Sequence, residues 1–85
     1  MSKNNLIRLF PNPNTGAFTV ELPEPATPDL RFRVIDLTGR ITHEQAAQSG
    51  HTQQTIQSSH LPAGLYFLQV LSDGKVLATE KFVKE

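Results

Sequence analysis

Apolar residues in this chain come in short runs that alternate with polar ones, and turn-forming residues interrupt the runs about every 8–12 positions. This pattern constrains the fold more than any other feature. In residues 17–22, Phe18, Val20 and Leu22 point one way and Thr19 and Glu21 the other. In 30–36, Leu30, Phe32 and Val34 share a face opposite Arg31 and Arg33. In 65–71, Tyr66, Leu68 and Val70 share a face, which turns Leu65, Phe67 and Leu71 outward or into a second contact. A period of two is the signature of a half-buried strand. These eight alternating residues other than Leu30 (Phe18, Val20, Leu22, Phe32, Val34, Tyr66, Leu68 and Val70) are the expected core.

Weaker runs complete the set. Residues 6–10 read as a first strand, 41–47 as a strand, 52–56 as a polar, exposed edge strand, and 76–84 as the last strand. Between them, Pro11-Asn12-Pro13-Asn14-Thr15-Gly16 ends the first run, because proline lacks a backbone donor and Asn and Gly accept turn dihedrals. Pro23, Pro25 and Pro28 make 24–29 a loop. Asp36-Leu37-Thr38-Gly39-Arg40 reads as a hairpin turn with Gly39 at positive φ. Leu61-Pro62-Ala63-Gly64 and Ser72-Asp73-Gly74-Lys75 are further turns. The one helix-friendly stretch, 44–48, is too short to stand alone. About seven strands at this spacing predict an all-β, antiparallel β-sandwich.

Composition narrows the function. With 85 residues and no cysteine, one small domain is expected, without disulfides or thiolate metal sites. Leu, Ile, Val and Phe make up 24 of the 85 residues, about 28% and above the roughly 20% below which chains tend not to fold. Eight cations balance eight carboxylates, which argues against nucleic-acid binding. Residues 45–72 carry no Asp, Glu, Lys or Arg, but their six Gln, Pro62 and two Gly are too polar for lipid, so no membrane insertion is expected. Residues 1–5 lack an apolar segment of the signal-peptide kind and read as a linker remnant behind a start codon, with the domain spanning 6–85.

No residue set points to catalysis. His43, His51 and His60 fall on a strand, a hairpin tip and a turn, without metal-ligand spacing. Ser58-Ser59-His60 lacks a nucleophile elbow. Glu21 is expected on a wet face and Glu24 in a loop. Gly64 and Gly74 are too far apart for a phosphate loop, and Lys75 is followed by Val76. Phe32 alternates away from Arg31 and Arg33, which separates the aromatic from the charge that base stacking needs. No catalytic, cofactor or metal residue is therefore expected.

Four segments in order resemble the C-terminal sorting domain of the type IX (Por) secretion system, type A, of Bacteroidota. Leu9-Phe10-Pro11-Asn12-Pro13-Asn14-Thr15-Gly16 is similar to the Y-P-N-P-x-x-G opening, with Phe10 in the aromatic place. Val34-Ile35-Asp36-Leu37-Thr38-Gly39-Arg40 is similar to a strand followed by D-x-x-G-R. Leu61-Pro62-Ala63-Gly64-Leu65-Tyr66-Phe67-Leu68-Gln69-Val70 resembles L-x-x-G-x-Y-x-x-x-V. Lys81-Phe82-Val83-Lys84 resembles the closing basic and apolar motif. The resemblance implies an Ig-like sandwich with no enzymatic activity. It implies recognition motifs at Pro11, Asn12, Pro13, Gly16, Asp36, Gly39, Arg40, Gly64, Tyr66, Val70, Lys81, Phe82, Val83 and Lys84. Implied partners are the outer-membrane translocon, a sortase-like peptidase that removes the domain, and an N-terminal cargo domain. Implied locations are the periplasm in transit, then the cell surface or medium.

Pro11, Pro13, Gly16, Gly39 and Gly64 are expected to be mainly architectural, fixing turns that few other residues adopt. In the closing segment, one of Phe82 and Val83 faces inward, and a bulge after Gly74 decides which. If that strand lies at a sheet edge, its free backbone groups can pair with a partner strand. The alternative is an Ig-like adhesion or carbohydrate-binding accessory module. Against it stand the lack of Trp and the single Tyr66, because sugar stacking relies on aromatic platforms.

Overall fold

Each period-two run of the sequence becomes a strand. The computed structural model describes residues 7–85, so Leu6 of the expected first strand and the expected 1–5 remnant lie outside the described residues. The strands are β1 (Arg8–Phe10), β2 (Ala17–Glu21), β3 (Leu30–Ile35), β4 (Ile41–Ala46), β5 (Gln53–Gln57), β6 (Gly64–Ser72) and β7 (Lys75–Lys84). They form a three-stranded sheet, β1-β2-β5, and a four-stranded sheet, β4-β3-β6-β7, all antiparallel. The result is an Ig-like β-sandwich whose fourth strand sits beside β3, not in the sheet of β1, β2 and β5. The helix-friendly stretch at 44–48 begins inside β4, where tertiary pairing overrides local preference.

Phe18, Val20, Leu22, Phe32, Val34, Tyr66, Leu68 and Val70 are all buried, as their alternation predicts. Leu30, Ile56, Leu61, Ala26 and Phe82 join them between the sheets. One expectation needs correction. Residues 52–56 do form an edge strand, but it is not simply exposed. Ile56 is fully buried, and the side-chain amide of buried Gln54 donates to the Gln48 and His51 carbonyls and accepts from Gln48 N–H. This strand looked solvated because its inward polar residue satisfies three backbone groups of the 47–52 loop. Leu71, expected outward or in a second contact, lies on the outer face and is buried there at 5% exposure. Its ladder neighbours on that face are Arg31 and Val76, and long cationic stems cover apolar neighbours while their heads stay wet.

A bulge decides the inward face of β7. Leu71 pairs with Val76, but Val70 pairs with Ala78, so Leu77 has no ladder partner. Were the same residues paired without the bulge, Leu77, Thr79, Lys81 and Val83 would point inward. With it, Ala78, Glu80 and Phe82 do, and Phe82 is fully buried while Val83 is 41% exposed.

The β3–β4 turn shows how a short sequence sets local geometry. Gly39 has φ 87°, as expected for the Asp36–Arg40 turn. The Asp36 carboxylate accepts from the backbone N–H groups of Thr38 and Arg40 and from the Thr38 hydroxyl, at 2.9, 3.0 and 2.6 Å. The Thr38 hydroxyl, then the Arg40 N–H, pull the Asp36 carboxyl down to about 2. Hydrogen bonds to Ser72 and then Thr27 lower Asp29 in the same direction. Both groups bind protons more weakly when folded than when unfolded. Their contribution is complete above the unfolded carboxylate value near 4 and fades as pH falls through about 2 for Asp36. Thermal melts from pH 5 to pH 2 should show falling stability, and Asp36→Asn should have a shallower decline with a lower melting point at pH 7. A decline equal to that of the unmodified chain would show that this turn is not its source.

Candidate recognition end of the sandwich

Strand register brings the four sequence motifs to one end of the molecule. Gly64, Leu65 and Tyr66 pair with Lys84, Val83 and Phe82. Ile35, just before the Asp36 turn, pairs with Phe67, and Phe67 pairs with Lys81. The 11–16 segment meets this end through the last residues of β7. The opposite end carries the proline-rich 23–28 loop and the Asp73-Gly74 turn.

The first and last motifs are joined by a hydrogen-bonded seam. Val83 N–H donates to the Asn12 side-chain oxygen at 2.9 Å, and the Asn12 side-chain amide donates to the Lys81 carbonyl at 3.3 Å. Asn14 N–H donates to the Val83 carbonyl at 3.0 Å, and Glu85 N–H donates to the Asn14 carbonyl at 2.8 Å. Asn14 and Lys84 form an isolated parallel bridge. β7 is an edge strand of its sheet, so these residues cover the final part of a sheet edge that would otherwise present unpaired groups. The Phe10-Pro11 and Asn12-Pro13 peptide bonds are both cis.

Asn14 is the central residue that sequence reasoning left out of the recognition set. It is 3% exposed. Its side chain donates to the Pro11 carbonyl at 3.0 Å and accepts from Gly16 N–H at 2.8 Å. Asn at a turn followed by Gly two residues later was its only signal, and that signal is common to many exposed turns.

Gly16 is architectural for two reasons. Its φ is 103°, and an added Cβ would lie 2.7 Å from both the Ser58 carbonyl oxygen and Ser59 Cα. Buried Ser58 seals the contact, donating both its N–H and its hydroxyl to the Gly16 carbonyl at 2.8 Å. Gly64 differs from the expectation. It opens β6 without positive φ, and an added Cβ would meet only the Tyr66 ring, at 3.9 Å. No turn conformation there requires glycine.

Tyr66 and Phe82 tie the third motif to the fourth. The Tyr66 hydroxyl donates to the Pro62 carbonyl at 2.6 Å, the corner arrangement of Ig-like sandwiches. Its ring stacks on Phe82 at 5.7 Å, and Phe82 lies 4.6 Å from Phe18. Val70 is buried further along β6. On the surface of this end remain Pro11, Asn12, Pro13, Gly39, Arg40, Gly64, Lys81 and Val83, with Asp36 and Lys84 half-buried.

A groove of about 320 Å³ lies at the opposite end, and Glu24 is the single ionisable side chain lining it. The His43 and His60 rings approach to 5.7 Å, but His43 is hydrogen-bonded to Gln45. Among the described residues, no group of three His, Cys, Asp or Glu is placed to hold a metal ion. No helix among them is long and apolar enough to cross a membrane.

No curated protein matches the chain. Residues 8–85 match the family model described as the secretion system C-terminal sorting domain. That match runs from β1 to the final residue and contains all four motifs. The chain therefore belongs to the family of type IX secretion C-terminal sorting domains.

Proposed function

We propose that the chain is a non-catalytic address label whose motif-bearing end is read, already folded, by the type IX outer-membrane translocon. One observation carries this reading: four motifs spread over more than 70 residues of sequence converge on one end of the sandwich, and the first is hydrogen-bonded to the last. Most motif residues build that end, and a smaller exposed set is left to be read. Family membership supports export and contact with the secretion machinery. In this reading a cargo domain precedes the label, passes through the periplasm, and reaches the surface or medium, where a sortase-like peptidase removes the label. The buried Tyr66 ring offers no sugar-stacking platform, which weighs against an adhesion role.

The test is a fusion of a reporter, preceded by a signal peptide, to this chain in a bacterium with type IX secretion. The reporter should reach the surface or medium, and removal of the chain should leave it in the periplasm. Periplasmic retention of the intact fusion, with the domain folded, would overturn the reading. Deleting 81–85 is a poor probe of recognition, because it removes Phe82 from the core along with any signal.

A further inference from the structure

The outer face of the four-stranded sheet, the side away from β1-β2-β5, is divided along its length. Its half near the Asp73-Gly74 turn is mixed, with Leu71 and Val76 set among Arg31, Gln69, Thr79 and an Arg33–Glu44 ion pair at 3.0 Å. Its half at the motif end is apolar. The ladder sets Ile41 beside Ile35, Ile35 beside Phe67, and Leu65 beside Val83. Ile41 is 49% and Val83 41% exposed, while Ile35, Leu65 and Phe67 are half-buried. Three of the four motifs contribute a side chain to this row, although core packing asks for none of them.

We infer that this row is the surface through which the sorting domain docks on a partner protein having an apolar centre and an acidic rim. The inference rests on the sorting reading above and names the surface it uses. Charge identifies the partner. Lys81 sits beside Phe67 in the ladder, whereas Arg40, next to Ile41 and with its side chain 78% exposed, is ion-paired with Asp36 at 3.5 Å. The local carboxylate, Asp36, is turned onto its own loop by Thr38 and Arg40. Glu44 is engaged by Arg33 in the other half, and Glu80 alternates to the inner face with Phe82. Lys81 is therefore the cation at the row without an ion-pair partner among the described residues, and its complement is a carboxylate on the partner's rim. An anionic membrane gains only about 1 kcal/mol per Lys or Arg near its surface, and two such residues beside a half-buried row make a poor anchor.

The test uses the reporter fusion and three variants. Ile41→Asp with Val83→Asp places charge in the row. Lys81→Glu reverses the rim. Val76→Asp, at an apolar residue 48% exposed on the other half of the same face, is the control. Delivery of the unmodified fusion comes first; its failure would sink the sorting reading itself. Given delivery, the double variant should lower it about tenfold or more, equivalent to at least one buried anchor. Lys81→Glu should lower it in the same direction and Val76→Asp should not, with melting points of the purified domains unchanged. Undiminished delivery by either row variant would overturn the docking surface. So would a dimer, or binding to anionic vesicles, that the double variant abolishes. Should the double variant fail to fold, the solvent-exposed Lys81→Glu decides alone.

Discussion

Gly16→Ala should destabilise the domain by about 2–5 kcal/mol, whereas Gly39→Ala should cost about 1–2 kcal/mol. Both glycines have positive φ, 103° and 87°, so alanine meets a backbone penalty at either site. Their surroundings separate them. Nothing lies within 4 Å of a Cβ placed on Gly39, while one on Gly16 would fall 2.7 Å from main-chain atoms of both Ser58 and Ser59. Main chain cannot rotate aside as a side-chain tip does. Ser58 would have to move, and its two hydrogen bonds to the Gly16 carbonyl would lengthen with it. A domain of this size has roughly 4–13 kcal/mol in total, so Gly16→Ala removes a large share. Urea melts of the two variants give the comparison directly. Equal costs would mean that the close approach to Ser58 and Ser59 is relieved by relaxation and that φ alone sets the requirement for glycine.

The legible parts of this fold are those where one strand carries its own alternation. β2, β3 and β6 each show which face is inward without reference to any neighbour, and their apolar residues form most of the core. The illegible parts depend on a second segment. Leu71 lies on the outer face by count, and only the sheet shows that Arg31 and Val76 flank it there. Gln54 reads as solvated until the 47–52 loop supplies three backbone partners. Asn14 reads as one more turn residue, because its neighbour Lys84 lies 70 positions along the chain. The same holds for the recognition end. The four motifs are visible as strings, but their convergence is a property of register. The apolar row has no string of its own, since Ile35, Ile41, Phe67 and Val83 each belong to a different strand.

β7 carries the clearest case of such dependence, and there a single side chain should reveal whether the register is right. Phe82→Ala should cost about 3–5 kcal/mol, and Val83→Ala should cost under about 1 kcal/mol. The two residues are adjacent and comparably apolar, yet the extra residue at Leu77 turns Phe82 inward and Val83 out. Phe82 is fully buried between the rings of Phe18, at 4.6 Å, and Tyr66, at 5.7 Å. Its removal opens a cavity where the two sheets meet, next to the seam between the first and last motifs. Because Tyr66 is also anchored to Pro62, the cavity cannot close by a simple shift of that ring, which favours the upper part of the range. For a domain this small, each kcal/mol moves the melting point by about 4–8 °C, so Phe82→Ala should melt at least about 12 °C lower. Deleting Leu77 removes the bulge but keeps Val70 paired with Ala78 and Tyr66 with Phe82, so Phe82→Ala should remain the costlier substitution in that background. If Phe82→Ala and Val83→Ala cost the same in the unmodified chain, β7 does not hold this register, and the outward row that includes Val83 would have to be redrawn.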